Sequence, residues 1–214
     1  MNMKLIIFGA TGGTGRQLVR LALDEGYAVT AFARRPERLE IDHPHLRLHP
    51  GDVLDPESVR TAIIGHDAVL SALGAPPTKT GVIRSEGTRN IIDAMEATGI
   101  QRFVCMTSLG YGDSRPVLDA TPFYFKHIIV PLLLRKAFAD HEVQEGLIQG
   151  SKLDWTIVRP GSLTDGERTG QYRHGFAPTD RPLQVEVSRA DVADFMLKQL
   201  KDTTYLKRTT GLSY

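Results

Sequence analysis

A single cysteine, Cys105, rules out an internal disulfide and a thiolate zinc site. Charge is also nearly absent as a net quantity: 26 Lys and Arg face 25 Asp and Glu, leaving +1 with histidine neutral. Neither nucleic acid nor an anionic membrane therefore has an electrostatic case as main partner. No apolar run approaches the length that crosses a bilayer. The longest, IIVPLLL at 128–134, is broken by Pro131, and the apolar start of the sequence is cut at Gly9. That start is too short for a secretory signal, so a cytoplasmic protein is expected. Internal repeats and low-complexity tracts are missing as well.

What is present is an ordinary globular composition, 41% hydrophobic and 24% charged over 214 residues, and one domain over 1–214 is expected. Residues 3–8 are a continuous apolar run ending in glycine, which suits a strand buried on both faces. From Thr14, Leu18, Leu21 and Ala22 recur at helical spacing until Gly26, a predicted C-cap. Strands are predicted at 27–33, 46–49, 67–73, 102–108 and 154–160. Helices are predicted at 56–64 and 85–99, and a long helical region at 122–149. A last helix, SRADVADFMLKQL, opens with Ser188 and Asp191 in capping-box spacing. Residues 164–182 are polar and rich in glycine and proline, and read as a loop with room for a short hairpin. Strand and helix alternate throughout. The predicted fold class is α/β, a doubly wound and mostly parallel sheet with helices on both faces.

GATGGTGRQL, residues 9–18, follows the first strand and opens the first helix. Gly9, Gly12 and Gly15 stand where a dinucleotide fold needs a tight turn, a close approach of backbone N–H groups to pyrophosphate, and close helix packing. A Walker loop would need Gly-Lys-Ser/Thr, whereas Gly15 is followed by Arg16 and Gln17. Between a buried strand and an amphipathic helix, the pattern favours a dinucleotide over a turn that binds nothing. The second strand ends in ARRPERL without the acid that would accept the adenosine ribose hydroxyls of NAD. Arg34 and Arg35, with Arg38 nearby, suit a 2′-phosphate instead, so NADP(H) is preferred over NAD(H). Asp52 and Val53 are expected at the adenine.

GATGGTG, ARRPERL, GDVLD, DAVLSALG, SEGTRNIIDAM, FVCMTS, LDWTIVRPG and SRADVADFML occur in an order that resembles the atypical short-chain dehydrogenase/reductases. Within these Rossmann proteins the chain looks most like the branch of biliverdin-IXβ reductase/flavin reductase and the NmrA-like NAD(P)-binding proteins. The resemblance runs from Met3 to about Leu200 and fixes the superfamily more firmly than the substrate. It implies that Gly9, Thr11, Gly12, Gly13, Thr14 and Gly15 hold pyrophosphate, and that Leu73 and Gly74 close on the cofactor ribose. It further implies that Thr107 and Ser108, and Pro160, Gly161, Ser162 and Leu163, flank the nicotinamide. A small substrate-side region would come from about 109–140 and 161–187.

The Tyr-x-x-x-Lys pair of most short-chain dehydrogenases is missing: none of the six tyrosines has lysine four residues on. Tyr111 precedes Arg115 at that spacing, but in a loop, and stands as a minor candidate acid. Ser108 occupies the usual serine position. His141 aligns with an active-site histidine of the biliverdin/flavin reductase branch, and reads equally as a surface residue of a charged helix. The branch's second histidine falls on Ser162, which weakens biliverdin in particular. His43, His45 and His49 cluster around Pro44 without ligand spacing, and no metal is expected. Cys105 reads as a small hydrophobe. Tyr124 and Phe125 with IIVPLLL are an apolar wall over a flat substrate, core packing, or a subunit contact.

The resemblance thus implies an NADPH-dependent oxidoreductase passing hydride to a flat conjugated small molecule, a flavin or a quinone. Such an acceptor can take its proton from solvent. The alternative is an NmrA-like redox sensor that holds NAD(P) without turnover. A sugar-nucleotide epimerase is disfavoured, because it needs the tyrosine and a larger substrate domain.

Overall fold

β1 (Lys4–Phe8) is fully buried from Leu5 to Phe8, and its side chains alternate between two cores. In the computed structural model, which describes residues 2–75 and 81–214, Leu5 and Ile7 join Leu18, Val19 and Ala22 of α1 (Gly13–Asp24). The same core takes Val192, Phe195 and Met196 of α5 (Arg189–Lys198). Ile6 and Phe8 point the other way, to Val59 and Ile63 of α2 (Pro56–Ile63) and Ile91 and Met95 of α3 (Ile83–Thr98). Ile148 of α4 (Arg135–Gly150) completes that second core. One strand with apolar residues at every position therefore requires helices on both faces.

The sheet order is β3-β2-β1-β4-β5-β6-β10-β8. β2 (Ala28–Ala33) and β3 (Leu46–Pro50) lie to one side of β1, and β4 (Ala68–Ser71), β5 (Arg102–Met106) and β6 (Asp154–Pro160) to the other. All these pairs are parallel; Ile7 sits between Ala31 of β2 and Leu70 of β4. The chain reverses its direction of travel between β1 and β4, and a cleft opens there beyond the carboxyl ends of the strands. The fold is the predicted single-domain doubly wound sheet.

Three features depart from the expected elements. β10 (Arg208–Ser213) extends the sheet in parallel beside β6, and β8 (Arg173–His174) closes the edge antiparallel to it. β7 (Ser162–Thr164) pairs in parallel with β9 (Glu186–Ser188) as a separate ribbon. The long helical region divides: residues Phe125–Leu134 are π-helical around Pro131, and α4 follows. Proline lacks an N–H and crowds the preceding turn, which widens the ladder there. The capping box is only half formed. Ser188 Oγ accepts the Asp191 N–H at 3.0 Å, but the Asp191 carboxylate accepts from Thr169, Gly170 and the Tyr214 hydroxyl. Burial disfavours its charge, yet these hydrogen bonds prevail and hold the carboxyl below the usual range.

α1 meets β1 backbone to backbone. A Cβ on Gly15 would collide with the Gly9 carbonyl oxygen and lie 2.8 Å from its carbon. Gly15→Ala should therefore cost about 1–3 kcal/mol in urea unfolding, the usual range for overpacking. Gly146→Ala, at an exposed α4 position with nothing near, should be neutral or stabilising by up to about 1 kcal/mol. Equal effects at the two sites would contradict the packing role of Gly15.

Candidate functional site

The ends of the parallel strands open onto a cavity of about 910 Å³. At one end it is bordered by Phe32, Ala33 and Arg34 at the end of β2 and by Gly51, Asp52 and Val53 after β3. Arg34 is exposed, and no acid stands beside it at the strand end. The Asp52 carboxylate accepts the Leu54 N–H at 3.0 Å, and Asn90 of α3 holds the Val53 carbonyl at 2.9 Å. A Cβ on Gly87 of α3 would lie 3.0 Å from both Val53 and Leu73, so that glycine lets the helix sit close beneath them.

Gly9, Thr11, Gly12, Gly13 and Thr14 border the middle of the cavity, opposite Leu73 and Gly74. Gly9 has φ +75°, a left-handed conformation that glycine alone adopts freely. Gly12 caps α1 without a side-chain hydrogen bond, and the first turn carries no acid. Its N–H groups and the positive end of the helix are therefore left for a ligand. Arg189, from the start of α5, lies across Gly13: its Cδ and Nε occupy space 2.6 and 2.7 Å from any Cβ there. Asp165 pairs with its guanidinium at 2.5 Å. Arg189 was illegible as a site residue, because the run around it reads as a helix cap.

At the far end Thr107 and Ser108 after β5 meet Pro160, the last residue of β6, and Gly161, Ser162 and Leu163 beyond it. Backbone pairing carries on past the strands, Thr107 N–H to Val158 and Leu109 N–H to Pro160. Thr107 Oγ1 donates to Glu145 at 2.7 Å, and Arg159 Nε donates to the same carboxylate at 2.9 Å. Glu145 of α4 thus ties β5 to β6 directly beneath the cavity. Ser108 is half-buried, with its hydroxyl donating to the Leu109 carbonyl at 3.0 Å. Beyond it the walls are apolar: Leu118, Phe125, Ile129, Leu134, Ala137 and Phe138. The π-helical segment is two-sided, since Ile128, Leu132 and Leu133 are exposed while Phe125 and Ile129 border the cavity.

His141 also borders the cavity, and it is buried rather than a surface residue of a charged helix. Its Nδ1 meets Gln144 Oε1 at 2.9 Å, while Gln144 Nε2 donates to Thr88 and to the Cys105 sulfur. The glutamine oxygen is thus an acceptor, so Nδ1 carries the proton and Nε2 the lone pair. Burial, and secondly the Arg84 charge, lower the ring's pKa to about 4. At neutral pH His141 offers an acceptor and no proton. Cys105 is buried, and desolvation pushes its thiol up to about 12, as befits a core residue.

Four proposed site residues do not border the cavity: Gly15, Arg35, Arg38 and Tyr111. Gly15 serves the helix contact described above. Arg35 and Arg38 are exposed on the neighbouring turn, whose Arg38 and Leu39 carbonyls accept from Arg16 at 2.8 and 2.9 Å. Tyr111 is buried behind His141, the rings 5.8 Å apart and 11° from parallel, with the Arg159 guanidinium 5.5 Å over its face. Burial and the Glu145 carboxylate push the phenol far above its ordinary range, so it stays protonated. On α4 the two side chains four residues apart that face the cavity are Ala137 and His141. A methyl group stands one turn before the histidine, where a phenol would face the same space.

A glycine-lined helix N-terminus at a sheet switch point, bordering a cavity at the carboxyl ends of the strands, is the arrangement of an NAD(P)-binding Rossmann protein. The chain belongs to the NAD(P)H-binding family, whose profile matches residues 9–203. It is 30% identical over 207 residues to an uncharacterized chloroplastic protein of Arabidopsis thaliana, covering 92% of this chain and 71% of that one. It is 36% identical over 221 residues to the photosystem II assembly factor Ycf39 of Guillardia theta, covering 98% of this chain and 64% of that one. The chain thus spans less than two thirds of that relative's length. Among solved structures, the Escherichia coli O157:H7 anaerobillin reductase ChuY is 27% identical with a TM-score of 0.79, covering 99% and 97% of the two chains. A Veillonella parvula short-chain dehydrogenase/reductase in complex with NADP shares the fold, with a TM-score of 0.80 at 17% identity and coverage of 100% and 95%. No helix among the described residues is long and apolar enough to cross a membrane.

The His141 ring gives a direct check on the site's electrostatics. Its NMR titration should have a midpoint near pH 4. Because the folded pKa lies below the unfolded value of about 6.5, its neutral form stabilises the fold fully above that pH. That contribution is lost as pH falls from about 6.5 toward 4. A midpoint between 6 and 7 would place the ring in solvent and contradict its burial against Gln144.

Proposed function

We propose that the chain is an NADPH-dependent reductase that passes hydride to a flat conjugated acceptor such as a flavin or quinone. The observation that carries this reading is the apolar space from Leu118 to Phe138 beyond Ser108, contiguous with the dinucleotide groove. A protein that only held the cofactor would need no such room, whereas a flat acceptor needs apolar walls and few polar contacts. NADPH, when bound, supplies the hydride; as NADP+ forms, the acceptor's ring system takes the electron pair and solvent supplies the proton. The chain's own part is binding and orientation. The free N–H groups of α1 receive the pyrophosphate, Asp52 and Val53 flank the adenine, and Ser108 offers a hydroxyl at the nicotinamide. Neutral His141 accepts a hydrogen bond there, and Arg34 receives the 2′-phosphate as a charge-assisted pair, with Arg35 and Arg38 adding to the local field.

A second reading, a redox sensor that holds NADP(H) without turnover, is favoured by one specific observation. Among the described residues, no side chain bordering the far end of the cavity is placed to give a proton at neutral pH, with Tyr111 withdrawn and His141 neutral. The likeness to assembly factors points the same way.

NADPH and NADH consumption by the wild-type and Arg34→Ala proteins, against FMN, FAD, a naphthoquinone and biliverdin, separates these readings. The reductase turns over at least one acceptor, faster with NADPH. Arg34→Ala should raise the KM for NADPH by roughly tenfold, the scale of one charge-assisted contact, and leave that for NADH unchanged. NADPH binding with no turnover across the panel would establish the sensor, and equal losses for both cofactors would remove the 2′-phosphate role of Arg34.

A further inference from the structure

Arg84 lies in the first turn of α3 and borders the cavity, yet it is only 7% exposed. Its guanidinium is poorly matched to its surroundings. Among the described residues, Nε and Nη1 make no hydrogen bond. Nη2 reaches the Ala75 carbonyl at 3.5 Å, the outer limit of such a bond. Asp140 of α4 stands 3.5 Å from Nη1, but its oxygens are already used. One accepts from the Ser85 N–H and hydroxyl, at 3.0 and 2.6 Å, and the other from the Arg84 backbone N–H at 3.2 Å. Asp140 therefore caps α3 and offsets part of the charge, without satisfying the guanidinium's donors. A buried cation with most of its five N–H groups unpaired is costly unless something else pairs with it.

The anionic groups of NADPH already have their own places. Arg34 stands at the 2′-phosphate end, and the α1 N-terminus with Arg189 at the pyrophosphate. Among the described residues, Arg84 is the third guanidinium on the cavity wall, and no lysine borders it. It stands beside Asp140, and its charge reaches His141, on the helix that supplies Ala137 and Phe138 to the apolar wall.

We infer that Arg84 is the specificity residue of the acceptor side, and that the acceptor carries an oxyanion, a carboxylate or phosphate, outside its conjugated ring. This rests on the cavity being a dinucleotide-and-acceptor site. Conjugated rings settle on the apolar wall, and the anion takes up the Arg84 donors that have no partner among the described residues. A neutral ring of the same shape would bring those donors no partner, and so is selected against.

Calorimetric dissociation constants decide this without any need for turnover. The ligands are FMN against riboflavin, and a naphthoquinone carboxylate against its parent quinone, each with and without saturating NADP+. The wild-type protein should bind the anionic member of at least one pair about tenfold or more tightly, as a charge-assisted contact requires. The first pair reports a phosphate and the second a carboxylate. Arg84→Gln should abolish the preference while leaving the neutral ligand and NADP+ within about twofold; Arg84→Lys, which keeps the charge, should restore part of it. Equal binding of both members by the wild-type protein, or failure of both anionic ligands to bind, overturns the inference. So does a preference that survives in Arg84→Gln, or a loss of NADP+ affinity as large as the loss of anion affinity. Anion preference without hydride transfer would instead sink the reductase reading alone.

Discussion

The contact between Gly15 and the Gly9 carbonyl determines where everything else in the site can stand. With no Cβ between them, α1 lies directly on the end of β1, and its first turn faces the gap between β1 and β4. A side chain at 15 would lift the helix and carry its free N–H groups away from that gap. A Cβ on Gly9 would press within 2.5 Å of the Ala72 carbonyl of the neighbouring segment. The switch point is thus held open by missing atoms on one side and by sheet pairing on the other. What that gap offers a ligand is mainly backbone, with the Arg189 side chain lying across Gly13.

The other end depends on a different device, a helix with a buried polar face. Asp140, His141, Gln144 and Glu145 of α4 are all buried, and each has a partner from another element or from the helix itself. Asp140 holds α3, Gln144 reaches Thr88 and Cys105, and Glu145 ties Thr107 to Arg159. Burial of so many polar groups is tolerated because nearly every lone pair and proton is used. The same network fixes Thr107 and Ser108 at the mouth of the cavity. Arg84 is the member whose donors are left over among the described residues.

Much of this was legible. Continuous apolar runs separated by helical periodicities fixed the doubly wound class, since a strand buried on both faces has to be covered twice. The glycine spacing, the acid-free end of β2 and the position of Ser108 located most of the cavity wall. The losses have physical causes. β10 reads RTTGLS, with one large apolar side chain, because its partners rather than its own sequence bury it. His141 and its polar neighbours have the composition of a solvated helix, and only long-range partners such as Ser85, Thr88 and Arg159 explain their burial. Arg84 and Arg189 stand in helix first turns, where basic residues carry no sequence signal of a ligand. Tyr111 was placed near the chemistry by spacing, but packing turns it behind His141.

The claim on which all of this turns is that the gap beyond β1 and β4 holds one NADPH per chain. Titration of the purified protein with NADPH, followed by the fluorescence of the dihydronicotinamide and by calorimetry, measures it directly. Saturation at one equivalent, with enhanced fluorescence as the ring leaves water, is the predicted result. No saturable binding at millimolar NADPH would contradict it.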